Sequence, residues 1–231
     1  MNKNNFYNNN NNNNLIKEAC CENFNQAFLA EKLGANRIEL CSDLSQGGTT
    51  PNYGNVKKCK QKLKIPLFCI IRPRAGNFIY SEEEIEIMKD DIKLFITDCN
   101  IDGIVIGLLT KDNNNIDYEN LKKLIEYSRN LNKNINITFH MAIDEIINDN
   151  NYKEIINNLN NFNINRILTK GGKIFNINNI KKYIEFINEN NLNIIILPGK
   201  GITNLNYENI IKQTNCKEIH GTKIVGNLND N

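Results

Sequence analysis

Residues 15–42 read LIKEACCENFNQAFLAEKLGANRIELCS, and this stretch decides the fold. Its ends, 15–20 and 37–42, are short apolar runs. Between them 23–33 has the spacing of an amphipathic helix and closes on Gly34, a residue suited to the backbone just past a helix end. Ala35-Asn36 then turns the chain into the second run. The result is one strand–helix–strand unit, repeated down the chain.

Further apolar runs occupy 66–72, 103–110, 135–141, 166–169, 194–197 and 218–223. Helical stretches lie between them at 53–63, 81–98, 118–131, 152–160, 178–190 and 205–213. Ser81 with Glu84 makes a capping box, and Glu82, Glu83 and Glu84 suit the positive end of that helix dipole. Continuous apolar strands alternating with helices belong to a parallel sheet covered on its faces, either open and doubly wound or closed into a barrel. Eight strands, with no glycine-rich phosphate fingerprint after the first, favour the barrel. The expectation is therefore an α/β fold of the parallel (β/α)8 TIM type. Only 224–231 follow the last run, so its eighth helix is expected to be short or missing. The barrel should form one domain over 15–231, preceded by an Asn-rich tail over 1–14 too polar to fold.

The 231 residues suit one such unit, since these barrels run to about 250 residues. The chain has 28 basic and 26 acidic residues, a net charge of +2, and no basic cluster with interleaved aromatics. That argues against a nucleic-acid partner. No apolar run approaches the roughly 18 residues of a membrane span, and the N-terminus lacks a signal peptide's apolar region. Seven cysteines, an odd number without short repeated spacings, read as free thiols in a reducing compartment. The cytoplasm is the expected location.

Residues two apart share one face of a strand. The first strand therefore sets Glu18 below Cys20, and the second sets Glu39 below Cys41. Neighbouring strands lie about 4.8 Å apart, so the two thiols can be near neighbours at staggered heights. The third strand ends in the pair Arg72 and Arg74. The fifth sets Thr138, His140, Ala142 and Asp144 in one phase, and the eighth sets Glu218 with His220. His140 and His220 are the only histidines in the chain, and both fall at strand C-termini. The loops there carry Thr169 and Gly171 after the sixth strand, and Gly199, Lys200 and Gly201 after the seventh. In these barrels the C-terminal face carries the working site, and the last loops commonly cradle phosphate.

Each residue also has a plainer reading. Cys20 or Cys41 alone is a small buried hydrophobe as readily as a ligand, and the other five cysteines read as packing. Glu18, Glu39, Arg72 and Arg74 read equally as an interior ion network. Asp144 could be a helix cap or an arginine partner, and the glycine stretches could be turns only.

The same residues carry a family resemblance. Lys-Glu-Ala-Cys at 17–20 and Gly-Ala-Asn-Arg-Ile-Glu-Leu-Cys-Ser-Asp-Leu-Ser-Gln-Gly-Gly-Thr-Thr-Pro at 34–51 resemble the CutC copper-homeostasis family. So do Ile-Arg-Pro-Arg-Ala-Gly-Asn-Phe-Ile-Tyr at 71–80 and Asp-Gly-Ile-Val-Ile-Gly-Leu-Leu-Thr at 102–110. The resemblance implies a TIM-type barrel, a cytoplasmic setting and copper handling, with Cys20 and Cys41 at the positions of the family's Cu(I)-binding cysteines. Thiolates do select Cu(I). Three motifs depart from the family. Its His-Arg-Ala-Phe-Asp reads His140-Met141-Ala142-Ile143-Asp144, its Leu-Thr-Ser-Gly reads Leu168-Thr169-Lys170-Gly171, and its triple glycine reads Gly199-Lys200-Gly201. The family's C-terminal extension is also missing, which bears on the last helix and on any homodimer contact made through it.

Two functions follow. One is a Cu(I)-binding homeostasis protein using Cys20 and Cys41. The other is an enzyme acting on a small anionic metabolite, phosphorylated or carboxylated. In the second, Glu39, His140 and Asp144 are the catalytic candidates. Glu18, Arg72, Arg74, Thr169, Gly171, Gly199, Gly201 and His220 are the candidates for holding substrate. In particular Arg72, Arg74, His140 and His220 are expected to face one cavity, with Glu18 and Glu39 among their partners.

Overall fold

Alternate residues of each apolar run face opposite ways, and the structure sorts them into two separate layers. A computed structural model describes residues 15–229. Strands β1 (Ile16–Cys21), β2 (Arg37–Leu40), β3 (Leu67–Ile70), β4 (Gly103–Ile106), β5 (Asn136–Phe139), β6 (Arg166–Thr169), β7 (Ile195–Pro198) and β8 (Glu218–Gly221) are the expected eight. Between them lie α1 (Phe24–Lys32), α2 (Tyr53–Lys62), α3 (Glu82–Thr97), α4 (Tyr118–Leu131), α5 (Tyr152–Asn161), α6 (Ile177–Glu189) and α7 (Tyr207–Thr214). Among the described residues no helix follows β8. The expectation of a disordered tail falls on 1–14, outside the described residues.

The strands pair in parallel in the order β7-β6-β5-β4-β3-β2-β1-β8. The barrel is nearly closed. β7 and β8 form no ladder of their own, but the chain just beyond them is bridged in parallel at Thr203 and Lys223, where the Asn204 N–H donates to the Lys223 carbonyl at 2.9 Å. Outward residues such as Ile38, Leu40, Cys69, Ile104 and Phe139 pack with helix residues including Ala27, Val56, Met88, Ile92 and Leu124 in the main core. Inward residues Cys20, Cys41, Phe68, Ile70 and Val105 form a second, smaller cluster inside the barrel. The capping box at Ser81 and Glu84 forms as read, and α3 buries Ile85, Met88, Ile92, Phe95 and Ile96.

Two features differ from the sequence expectation. The fourth and fifth strands stop at Ile106 and Phe139, short of the ends of their apolar runs. A 3-10 turn, Met141–Glu145, begins immediately after His140. Gly107, just past β4, explains how the chain fits there. A Cβ on Gly107 would lie 2.4 Å from the His140 ring, so this position admits only glycine while the imidazole stays where it is. No described helix is long and apolar enough to cross a membrane.

Candidate functional site

The inward charges occupy two levels. At the lower one Glu18 stands opposite Arg37 in the β1–β2 register and opposite His220 in the β1–β8 register. Arg37 Nε donates to Glu18, and its Nη2 donates to Glu218 at 2.5 Å. Arg166 Nε donates to the same Glu218 oxygen at 2.7 Å and its Nη1 to Asn136 at 3.1 Å. Both guanidiniums lie over the Phe68 ring, at 4.9 and 5.3 Å from its centroid. Burial alone would raise the Glu18 carboxyl, yet Arg37 and His220 outweigh it and hold the group at about 2.

Above this network is a cavity of about 330 Å3 at the strand C-termini, within the range of small-molecule sites. Cys20 and Cys41 meet on its wall with their sulfurs 3.8 Å apart, and Cys20 Sγ also lies 3.5 Å from Glu39 Oε1. The ligand atoms of Cys20, Glu39 and His220 all lie within 4.8 Å of one another. His220 Nδ1 bonds Glu18 at 2.8 Å, leaving Nε2 as its other donor atom. The neighbouring Cys41 thiol and burial push the Cys20 thiol well above its ordinary value. Burial also raises the Glu39 carboxyl, against the pull of His220 and with Glu18 adding to it. Burial would lower His220, but Glu39 and Glu18 outweigh it and raise the imidazole. These three groups therefore favour keeping protons in the absence of a cation.

Arg72 and His140 also line the cavity. Arg72 Nη1 donates to the Gln46 and Gly48 carbonyls at 3.0 and 2.7 Å, and Nη2 donates to the Gly76 carbonyl at 2.8 Å. The Ala142 N–H donates to His140 Nδ1 at 3.0 Å, which leaves the proton of the neutral ring on Nε2. Both side chains pack on Phe78, Arg72 at 4.8 Å and His140 at 4.9 Å from its ring. Burial, helped by the Arg72 charge, pushes His140 down to about 3.

His140 thus stays neutral in the fold to about pH 3, whereas an unfolded imidazole takes up its proton below about pH 6.5. Between those values the unfolded chain binds more protons, so this group's contribution to stability is lost as pH falls. Urea midpoints measured from pH 7 to pH 4 should decline less steeply for His140→Gln than for the natural chain. Parallel profiles would contradict a neutral, buried His140.

Of the residues singled out from sequence, Cys20, Cys41, Glu39, Arg72, His140, Gly201 and His220 line the cavity. Glu18 lies beneath it and reaches it through His220. Gly199 sits at its edge, where a Cβ would come within 2.7 Å of Leu168 and Met141. The expectation that Arg74 shares the cavity is corrected. Arg74 turns outward to pair with Glu84, also donates to the Asn77 and Ile79 carbonyls, and remains 39% exposed. Asp144 and Thr169 lie off the cavity too. Asp144 accepts from the Thr169 hydroxyl at 2.5 Å and from the Lys170 and Gly172 amides at 3.0 Å, which holds the loop after β6 in place. Gly171 belongs to that loop, packed against the Asn176 carbonyl. The partners expected for Arg72 and Arg74 are corrected as well, since Glu18 and Glu218 pair with Arg37 and Arg166. Sequence reasoning passed over these two arginines. The available signal was that each opens its strand in the inward phase, Arg37 with Glu39 and Arg166 with Leu168.

The model of the CutC family matches residues 15–225. The human copper homeostasis protein cutC homolog is 46% identical over 131 residues, which is 57% of this chain and 46% of the human protein. A CutC family protein of Enterococcus faecalis is 43% identical over 161 residues, covering 68% of this chain and 74% of that protein. The match spans about half the length of the human relative. The crystal structure of CutC from Streptococcus agalactiae superposes with a TM-score of 0.82 at 36% identity, covering 91% of this chain and 99% of that one.

Proposed function

The chain belongs to the CutC family, and on that premise we propose that it serves copper homeostasis in the cytoplasm by holding Cu(I) through the Cys20 and Cys41 thiolates. The observation that carries this reading is the meeting of the two sulfurs at 3.8 Å on a cavity wall, supplied by adjacent strands. Soft thiolates suit Cu(I), and His220 and the Glu39 carboxyl stand close enough to Cys20 to complete or orient the donor set. One Glu39 oxygen, Oε2, is buried with no hydrogen-bond partner among the described residues, which suits a place in a cation's donor set. All seven cysteines are free, in keeping with a reducing compartment.

Because the Cys20 thiol is raised, the site must release protons as the metal enters, and apparent affinity should climb between pH 6 and pH 8. An anaerobic competition titration against a chromophoric Cu(I) chelator tests the assignment. The natural chain should take up one Cu(I), and the Cys20→Ser/Cys41→Ser double variant should take up none while keeping its circular dichroism. Unchanged stoichiometry in the folded double variant would reject these two residues as the site.

A second reading is favoured by a different observation. Arg72 is a buried cation whose hydrogen bonds go to backbone carbonyls, with no carboxylate against it among the described residues. An enzyme acting on a small anionic metabolite would account for that charge. Glu39, whose carboxyl is raised by burial, and His140 would then be its proton-transfer candidates.

A further inference from the structure

Three of the barrel's inward arginines are buried, and they are treated differently. Arg37 and Arg166 are matched against Glu18 and Glu218. Arg72 is 4% exposed, and among the described residues its guanidinium hydrogen bonds go to carbonyl oxygens. A buried charge without a counter-charge is costly, and carbonyl dipoles orient the guanidinium without neutralising it. Among the described residues its Nε has no hydrogen-bond partner, and neither has Nε2 of His140, also 4% exposed. Both are N–H groups, since the Ala142 amide occupies Nδ1 of His140. Both belong to side chains packed on the same Phe78 ring and lining the same cavity. Lys200 adds a second positive charge to the lining.

We propose that this side of the cavity is a carboxylate-binding site, in which Arg72 Nε and His140 Nε2 each donate to one oxygen of a small organic acid. The assignment deepens the enzyme reading and rests on it. Charge and donor count choose the class. The two buried N–H groups without a partner, Arg72 Nε and His140 Nε2, match in number the two oxygens of one carboxylate, and Arg72 keeps one further Nη2 hydrogen that no carbonyl takes. The rest of the lining is largely apolar, with Leu44, Ile70, Met141 and Leu168, so the body of the ligand is a short carbon chain. A volume of about 330 Å3 keeps it small. Cys20, Glu39 and His220 face the same space, which places their proton-bearing atoms beside the ligand's carbon skeleton. Gly48 links the two halves of the site. Its carbonyl accepts from Arg72, and a Cβ on it would lie 3.8 Å from Cys41 Sγ, so the loop that holds Arg72 packs against the thiol wall.

The full chain, stripped of metal, is titrated with pyruvate, acetate, methyl pyruvate and inorganic phosphate while the imidazole resonances are followed by NMR. Two histidines make that spectrum assignable. Pyruvate and acetate should shift the His140 ring saturably, and the uncharged ester should not. Arg72→Gln should weaken pyruvate binding by about tenfold or more, the worth of one charge-assisted hydrogen bond, with Arg74→Gln unchanged. Should Arg72→Gln fail to fold, the acid-against-ester comparison on the natural chain still decides. Saturable phosphate binding without carboxylate binding overturns the carboxylate assignment and leaves an anion site standing. No response to any anion overturns both the assignment and the enzyme reading. Neither outcome touches the copper proposal, because no metal is present.

Discussion

Replacing Arg37 with methionine should cost about 3–5 kcal/mol of folding free energy, the usual price of removing one partner from a buried ion pair. Arg37 bonds two carboxylates at once, Glu18 and Glu218, and all three side chains are buried. Methionine fills a similar volume but leaves Glu18 with His220 alone and Glu218 with Arg166 alone. Two anions would then lie in the barrel with half their partners gone. Lysine should rescue little, because a single ammonium cannot reproduce the planar fork that reaches both acids. Urea unfolding at pH 7 measures the loss. A change under about 1 kcal/mol would mean that the network is solvated or readily rearranged, and that the charges are not organised around Arg37.

Phe68→Ala should be destabilising by a similar amount, about 3–5 kcal/mol, for an unrelated reason. The ring is 2% exposed and fills the centre of the barrel. On one side Gly103 is so close that a Cβ there would lie 2.7 Å from three ring atoms. The guanidiniums of Arg37 and Arg166 lie over its face. Truncation opens a cavity bounded by a glycine that cannot fill it and by two arginines that lose a cation–π partner. Phe68→Leu should recover most of the loss. A double-mutant cycle with Arg37→Met should show coupling of about 0.5 kcal/mol or more, since the two side chains are in contact. Strict additivity would mean that the ring supports the barrel by volume alone.

Much of the fold was legible because its signals are local. Strand and helix follow from the spacing of apolar residues, and the runs at 37–42 and 166–169 place Arg37 and Arg166 at the first residue of their strands. The phase of each strand was legible too. Cys20, Glu39, Cys41, His140 and His220 all face the interior as period-two alternation requires. Strand ends were less clear. Thr138 and His140 share a phase, but the chain leaves the ladder at His140 to start a 3-10 turn, which carries Asp144 off to the loop after β6.

By itself, then, the sequence determined which side chains point inward and at which end of the barrel they gather, because both depend on a few consecutive residues. Only the tertiary structure decided who meets whom. Glu18 faces Arg37 rather than Arg72 through the β1–β2 register, and Arg74 leaves for Glu84, ten positions further along the chain. Arg72 ends among carbonyls because the loop through Gln46, Gly47 and Gly48 folds over it. A partner depends on the offset between strands and on the path of a loop, and these are set by the packing of the whole barrel, which no short stretch of chain encodes.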